Sequence, residues 1–213
     1  DGVLKEFPPP EIDPYLAKRA HDTFHVASLC AEDFIDRRPH AVIGMVNGEI
    51  TTTDGGYTDR IDVDYDILKI AVIERHKNTH HIGLGYIRGY GLKKGAVATS
   101  ISHDSHNIIV VGTNEEDMAF AANHIVRNHG GITVVESGEV KGDVLLAIAG
   151  IMSDDSLVNV NRDLEAAKAA AYALGVSDGI DPFMTLSFMA LPVIPSLRIT
   201  TRGVFDVTSQ RYV

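Results

Sequence analysis

A polar run at residues 102–107, Ser-His-Asp-Ser-His-Asn, lies between two apolar runs at residues 96–98 and 108–111. Burying imidazole, carboxylate and amide groups without partners costs several kcal/mol. We therefore expect a polar run between strand-like segments to have a structural or chemical role. Neutral imidazole and carboxylate suit general acid–base work and also bind divalent transition metals. The first candidates for chemistry are therefore His103, Asp104, His106 and Asn107.

The backbone conformation of residues 102–107 decides which side chains can meet. In a regular strand His103 would point to one face and Asp104 and His106 to the other, so only the last two could share a metal. In a turn between two strands, all three could converge. A polar turn or a buried hydrogen-bonded network without any catalytic part is the alternative interpretation, and the sequence leaves these options open.

Glu74 and His76 flank Arg75 at the end of the apolar run 67–73. Charged residues at strand ends often belong to sites, so Glu74 and His76 join the candidate wall of an active site. The alternative is a surface ion pair followed by an exposed histidine.

The other histidines carry weaker signals. His21 and His25 have the i, i+4 spacing that places two side chains on one helix face, but Asp22 follows His21 where the metalloprotease motif has Glu. His80 and His81 lie in a loop and are predicted to be solvated. The glycines of residues 83–95 match neither a dinucleotide-binding nor a P-loop pattern, and turns explain them.

The composition of the 213 residues excludes several classes of protein. A net charge of −10 argues against a nucleic-acid partner and against an anionic membrane surface. Cys30 is the single cysteine, which excludes an internal disulfide and indicates a reducing cytoplasm. We expect no membrane span, because no run of about 18 apolar residues occurs. We expect no signal peptide, because the first residues lack a basic region followed by an apolar core.

The elements that must position the candidates follow from local patterns. Residues 41–53 predict a hairpin around Asn47 and Gly48, and residues 67–73 predict a buried strand. Two main helices are predicted. The first begins at a capping box of Thr113 and Glu116, and the second covers about residues 156–174.

Residues 181–184 are interpreted as a turn that enters a core strand, and short strands are expected from there to Val213. Strands and helices mix without strict alternation, so the fold class is α+β, with layers of mixed sheet. Residues 1–40 form a separate connector broken by Pro8, Pro9 and Pro10, and residues 41–213 form the main domain.

Several separated motifs resemble the C-terminal region of the microbial adenine deaminases, which belong to the amidohydrolase superfamily. The resemblance spans about residues 41–200 and is carried by residues 82–85, 91–98, 102–118, 148–154 and 181–195. Residues 1–40 look like the end of the small β domain of that family, with Asp1 and Gly2 inside a strand.

The resemblance implies a metal-dependent hydrolysis of adenine to hypoxanthine and ammonia. In the family a (β/α)8 barrel holds two divalent metals, Mn or Fe. A chain of 213 residues cannot hold a barrel of about 250 residues beside this domain. We therefore expect the barrel to be an upstream partner and this chain alone to be inactive.

Two further hypotheses remain from the sequence. The domain could be a structural or homo-oligomerisation module whose polar run is internal. It could also bind a metal of its own through Asp104 and His106.

Overall fold

The computed structural model describes residues 8–213, which form four α-helices and eleven strands. The predicted strand at Val3 and Leu4, and the strand expected at Asp1 and Gly2, lie outside the described residues. The helices are α1 (Pro14–His21), α2 (Glu115–Arg127), α3 (Leu157–Ala173) and α4 (Pro182–Met189). The strands are β1 (His40–Met45), β2 (Thr52–Thr58), β3 (Leu68–Ile73), β4 (Ile82–Arg88), β5 (Ala96–Thr99), β6 (Ile108–Gly112), β7 (Gly131–Glu136), β8 (Glu139–Leu145), β9 (Leu197–Thr200), β10 (Gly203–Asp206) and β11 (Arg211–Tyr212).

Eight strands form one mixed sheet in the order β2-β1-β4-β3-β6-β5-β7-β8. Only the β1–β4 pair of this sheet is parallel, and the other neighbours are antiparallel. The last three strands form a second, antiparallel sheet. The predicted α+β class is confirmed.

Apolar side chains cover both faces of the large sheet. One face packs against α3, α4 and the small sheet, with Ile70, Val97 and Leu186 in its core. The opposite face packs against α2 and a 3-10 turn (Ala31–Phe34). The central strands read as continuous apolar runs because they are buried on both sides.

The two long helices begin at capping side chains. Asn114 caps α2 by accepting a hydrogen bond from the Asp117 backbone, so the predicted capping box at Thr113 is wrong by one residue. Ser156 caps α3 as expected and accepts from the backbone of Asn159 at 3.3 Å.

Two predicted local features differ from the structure. The turn at Asn47 and Gly48 exists, but β2 begins only at Thr52, so the hairpin loop is longer than the predicted two residues. Residues 181–184 do not enter a strand. Asp181 caps α4 and Pro182 occupies its first turn, a pair that favours helix initiation.

The segment that precedes β1 is tied to the sheet by a buried lysine. Lys69 on β3 donates to the carbonyl of Phe34 at 2.9 Å and pairs with Glu115 on α2 at 2.5 Å. Burial of an ammonium group requires such partners, so Lys69 joins the N-terminal segment, the sheet and α2.

No helix within residues 8–213 has the length and apolar character needed to cross a membrane.

The small sheet approaches β4 at two glycines. A Cβ atom on Gly83 would lie 1.8 Å from the carbonyl oxygen of Thr200, and one on Gly85 would lie 2.5 Å from the Val204 side chain. Only glycine allows this separation of the two sheets, since the backbone of β9 cannot move aside locally.

We predict that Gly83→Ala lowers the free energy of unfolding by about 3 kcal/mol because it forces the two sheets apart. The measurement is urea denaturation followed by circular dichroism. Gly48→Ala is the control, since its Cβ would meet nothing within 4 Å and only the positive φ of +76° opposes it. We expect that control to cost about 1 kcal/mol. Equal losses for the two variants would contradict the packing argument.

Candidate functional site

Residues 102–107 form a turn that joins the neighbouring strands β5 and β6. The backbone N–H of His106 donates to the carbonyl of Ser102 at 2.6 Å, and His106 has a φ of +50°. The strand geometry considered for this run is therefore not adopted. The alternative, in which the run is a turn and its side chains can converge, is the one that the chain adopts.

The turn rests on α4. The backbone of His103 donates to the carbonyl of Ser187 at 3.1 Å, and the His103 ring lies 5.1 Å from the ring of Phe188. The rings of His103 and His106 lie 6.3 Å apart, and Asp104 between them is exposed. The structure thus brings His103, Asp104 and His106 together at one surface.

Arg75 supports the turn from below. Its side chain is 2% exposed, and its guanidinium donates from Nε to the carbonyl of His106. It also donates to the carbonyl of Thr23 at 2.9 Å and to the carbonyl of Ala149 at 2.9 Å. Its Cζ atom lies over the Phe24 ring, 4.2 Å from the ring centre. One guanidinium therefore joins three separate loops.

Arg75 makes no ion pair with a carboxylate within residues 8–213. Burial lowers the pKa of its guanidinium to about 10, which still leaves it charged at neutral pH. The surface ion pair proposed as an alternative for residues 74–76 is wrong, because backbone carbonyls satisfy this charge instead.

Asn107 and His76 also secure the turn. The Asn107 side chain accepts from the backbone of Arg75 at 3.3 Å and donates to the hydroxyl of Ser105 at 3.1 Å. His76 is exposed, and its Nε2 donates to the carbonyl of Ser105 at 2.8 Å. These contacts use the polar groups of both side chains to hold the backbone of the turn.

The carboxylate of Glu74 accepts hydrogen bonds from the loop that follows it. It accepts from the backbone of His76 at 2.6 Å, of Lys77 at 3.0 Å and of Thr79 at 3.2 Å. Partial burial acts to raise the pKa of Glu74, but these hydrogen bonds outweigh it and lower the pKa on balance. Glu74 is therefore ionised and committed to the loop.

His106 is the candidate whose electrostatics are most altered. Burial, followed by the charges of His103 and Arg75, lowers the pKa of His106, and Asp104 opposes the shift. Its Nδ1 is buried and has no hydrogen-bond partner within residues 8–213. A neutral imidazole with a free nitrogen can accept a proton or a hydrogen bond near pH 7.

Asp104 and His106 do not complete a metal site by themselves. Within residues 8–213 no group of three or more His, Cys, Asp or Glu side chains is arranged to hold an ion. A carboxylate and an imidazole are suitable donors, but a transition-metal site built from protein side chains usually needs three or more. The donors present do not fit a self-contained Mn or Fe centre.

The remaining candidate histidines lie outside residues 102–107, although His25 donates from Nδ1 to the carbonyl of His76 at 3.1 Å. Helix α1 ends at His21, so His25 is not on its face, and the helical pairing considered for these residues is wrong. His80 and His81 are exposed, as predicted.

An open cleft of about 430 Å³ lies beside the turn. Asp104, Ser105 and Asn107 form one part of its lining, and residues 190–193 and 199–201 contribute most of the remainder. The polar turn therefore borders a mostly apolar depression that is open to solvent.

Sequence reasoning missed two supports of the turn. The alternative interpretation of residues 74–76 groups Arg75 with surface charges, although its position two residues after the buried, mostly apolar strand β3 is a signal of burial. Helix α4 was interpreted as a strand because it is apolar, although Asp181 followed by Pro182 is a recognisable start of a helix.

Fold and site together define an α+β domain that presents a histidine–aspartate turn beside an open cleft. A family model described as the adenine deaminase C-terminal domain matches residues 44–211. The chain belongs to that family.

Curated relatives agree with this assignment. The adenine deaminase of Bacillus subtilis (strain 168) is 50% identical over 152 residues, which cover 71% of this chain and 26% of that protein. Adenine deaminase 2 of Carboxydothermus hydrogenoformans is 45% identical over 176 residues, or 79% and 31% of the two chains. That of Listeria welshimeri is 38% identical over 204 residues, or 92% and 34%. The chain thus spans about a quarter to a third of the length of these relatives.

We predict that Arg75→Met lowers the free energy of unfolding by about 3 kcal/mol, because three buried carbonyls lose their donor. Urea denaturation measures the loss. Arg162→Met is the control, since Arg162 is exposed on α3 and contacts only the side chains of Asp163 and Asn159, and it should change stability by less than about 0.5 kcal/mol. A similar small effect at Arg75 would show that the guanidinium does not hold the three loops.

We predict that the pH dependence of stability contains a contribution from His106. Its lowered folded-state pKa means that the unfolded chain binds the proton more readily, so stability falls as the pH falls through the imidazole range. His106→Asn should reduce this loss between pH 7.5 and pH 5.5, measured by urea denaturation at each pH. Asparagine tolerates the positive φ.

His80→Asn is the matched control for this experiment, because His80 also has a positive φ, of 58°, and is exposed. We expect that variant to keep the wild-type pH dependence. An unchanged dependence in His106→Asn would contradict the prediction.

Proposed function

We propose that this chain is the C-terminal domain of an adenine deaminase that hydrolyses adenine to hypoxanthine and ammonia. The observation that carries the proposal is the family match over residues 44–211, which includes the polar turn and its supports on β3 and α4. The relatives described above are named adenine deaminase, and this chain matches only a part of each of them.

The turn at residues 102–107 is proposed to face the catalytic part of the enzyme, an upstream (β/α)8 barrel. There His103, Asp104 and His106 would order adenine, water or a covering loop. Two observations support this role. Arg75 holds the backbone of the turn in place, and the buried Nδ1 of His106 has no partner within residues 8–213.

The side chains of the turn have distinct capacities in such a setting. A neutral His106 can accept a proton or a hydrogen bond from water or from a purine nitrogen, and the exposed Asp104 can accept from the exocyclic amine. Asp104 lines the open cleft, so approach of a partner there would exclude water from its carboxylate.

The Mn or Fe implied by the resemblance would have its ligands in the catalytic part, because residues 8–213 supply no group of three suitable donors. We assign no step through the metal to this chain. Residence in the cytoplasm, and assembly into a homo-oligomer, are further parts of the proposal.

A second candidate function is a structural or oligomerisation domain without a catalytic part. The observation that favours it is the use of Glu74, His76 and Asn107 in internal hydrogen bonds. Light scattering on the purified chain tests assembly, which both functions allow, and the His106 variants described next distinguish the two functions.

We predict that His106→Ala lowers kcat/KM for adenine by at least tenfold in the complete enzyme, meaning this chain joined to its catalytic part. That is the scale of one lost acid–base or orienting contact. Steady-state kinetics measure it. His106→Asn repeats the test with a residue that tolerates positive φ better than alanine does, and His80→Ala is the control that should retain wild-type kcat/KM.

Thermal unfolding of each variant verifies that the fold is kept. Unchanged kcat/KM in both His106 variants would remove the turn from the active site and leave the structural alternative.

A further inference from the structure

Helix α4 carries apolar side chains on every side. Phe183, Leu186 and Met189 are buried against the large sheet, while Met184 on the outer side is 52% exposed and Phe188 is half-buried. A helix that is apolar all round is normally covered all round. Within residues 8–213 the outer side of α4 is only partly covered, since Phe188 lies against the His103 ring while Met184 is open to solvent, so it is an unusual surface for a domain to present to water.

The outer side of α4 continues into neighbouring exposed apolar residues. Ile50 in the β1–β2 loop is 53% exposed and borders a shallow depression shared with Met184 and Phe188. Val193, on the segment directly after α4, is 69% exposed. We call these four residues, Ile50, Met184, Phe188 and Val193, the α4 patch. Ile50, Met184 and Phe188 line one depression, Val193 lines the cleft beside the turn, and exposed apolar surface of this kind marks interaction sites.

The α4 patch is held in one shape by polar contacts. Arg198 on β9 is fully buried and donates to the carbonyl of Ile50 at 2.5 Å and to the hydroxyl of Thr52 at 3.0 Å. Asp181 caps α4 and pairs with Lys168 on α3 at 2.9 Å. A preformed surface loses little conformational entropy when a partner binds.

Two observations indicate what covers the patch. Phe188 lies 5.1 Å from the His103 ring, so the patch is continuous with the candidate turn. This chain also spans only 26–34% of the matched relatives, so most of each relative is additional polypeptide. We propose that the α4 patch is the docking surface for the catalytic part of the same enzyme, and that this contact places the turn at the active site. This inference rests on the proposed function and adds the surface that it requires.

Hydrogen–deuterium exchange compares the free 213-residue chain with the complete enzyme. We expect the backbone of residues 182–195 to exchange at least tenfold more slowly in the complete enzyme, because docking covers α4. The edge strand β8 should show the same rate in both, since it lies at the far edge of the sheet.

Two variants test whether the α4 patch is the cause of the slower exchange. Met184→Glu in the complete enzyme should restore the fast exchange of residues 182–195, and Val193→Glu should do the same. Leu145→Glu on β8 is the matched control, because Leu145 is 51% exposed and receives the same change from an apolar side chain to an acid. It should leave the protection intact.

Three results would overturn the proposal. One is equal exchange of residues 182–195 in the free chain and in the complete enzyme. Another is protection that survives both Met184→Glu and Val193→Glu. The third is protection in the free chain that rises with its concentration and is lost in Met184→Glu, which would assign the patch to a second copy.

The exchange experiment does not depend on turnover. If His106→Ala retains full kcat/KM while docking protects α4, the proposed role of the turn fails and the docking surface stands. If activity depends on His106 but α4 stays unprotected, the docking surface fails and the proposed function stands.

Discussion

The buried guanidinium of Arg75 is the contact on which the arrangement of the site depends. It has no carboxylate partner within residues 8–213 and is satisfied by carbonyls of three loops, at Thr23, His106 and Ala149. A planar group with five donors can serve three carbonyls at once, which a lysine could not do in the same fixed geometry. Loss of this one side chain would remove the contact that the N-terminal segment, the polar turn and the loop after β8 have in common.

This support has consequences for the chemistry of the turn. With its backbone held by Arg75, Asn107 and His76, the turn can keep His106 partly buried beside other positive or ionisable groups. A free loop would rotate such an imidazole into water and restore its ordinary pKa. The cost of keeping the His106 ring partly buried is therefore offset by hydrogen bonds that do not touch the ring.

The domain is stable through its two-sided sheet and is incomplete at one surface. Close approach of the small sheet at Gly83 and Gly85, and the tie from Lys69 to Phe34, close the core on both faces. The outer side of α4 is the exception, because Met184 is half exposed and Phe188 is only partly covered by the polar turn. The polar turn and this apolar surface adjoin each other at His103 and Phe188, which is the arrangement expected of a domain that works against a partner.

Local sequence was sufficient for the features that depend on neighbours along the chain. Ser156 and the apolar stripe after it determined α3, the apolar run at residues 67–73 determined β3, and the motifs around residues 102–118 indicated the family. Long-range packing decided the rest. Whether residues 102–107 form a strand or a turn depends on the pairing of β5 with β6, and the burial of Arg75 depends on carbonyls that lie 31 to 74 residues away. Helix α4 was misjudged because an apolar octapeptide fits a buried strand as well as a buried helix, and only its packing on the sheet distinguishes the two.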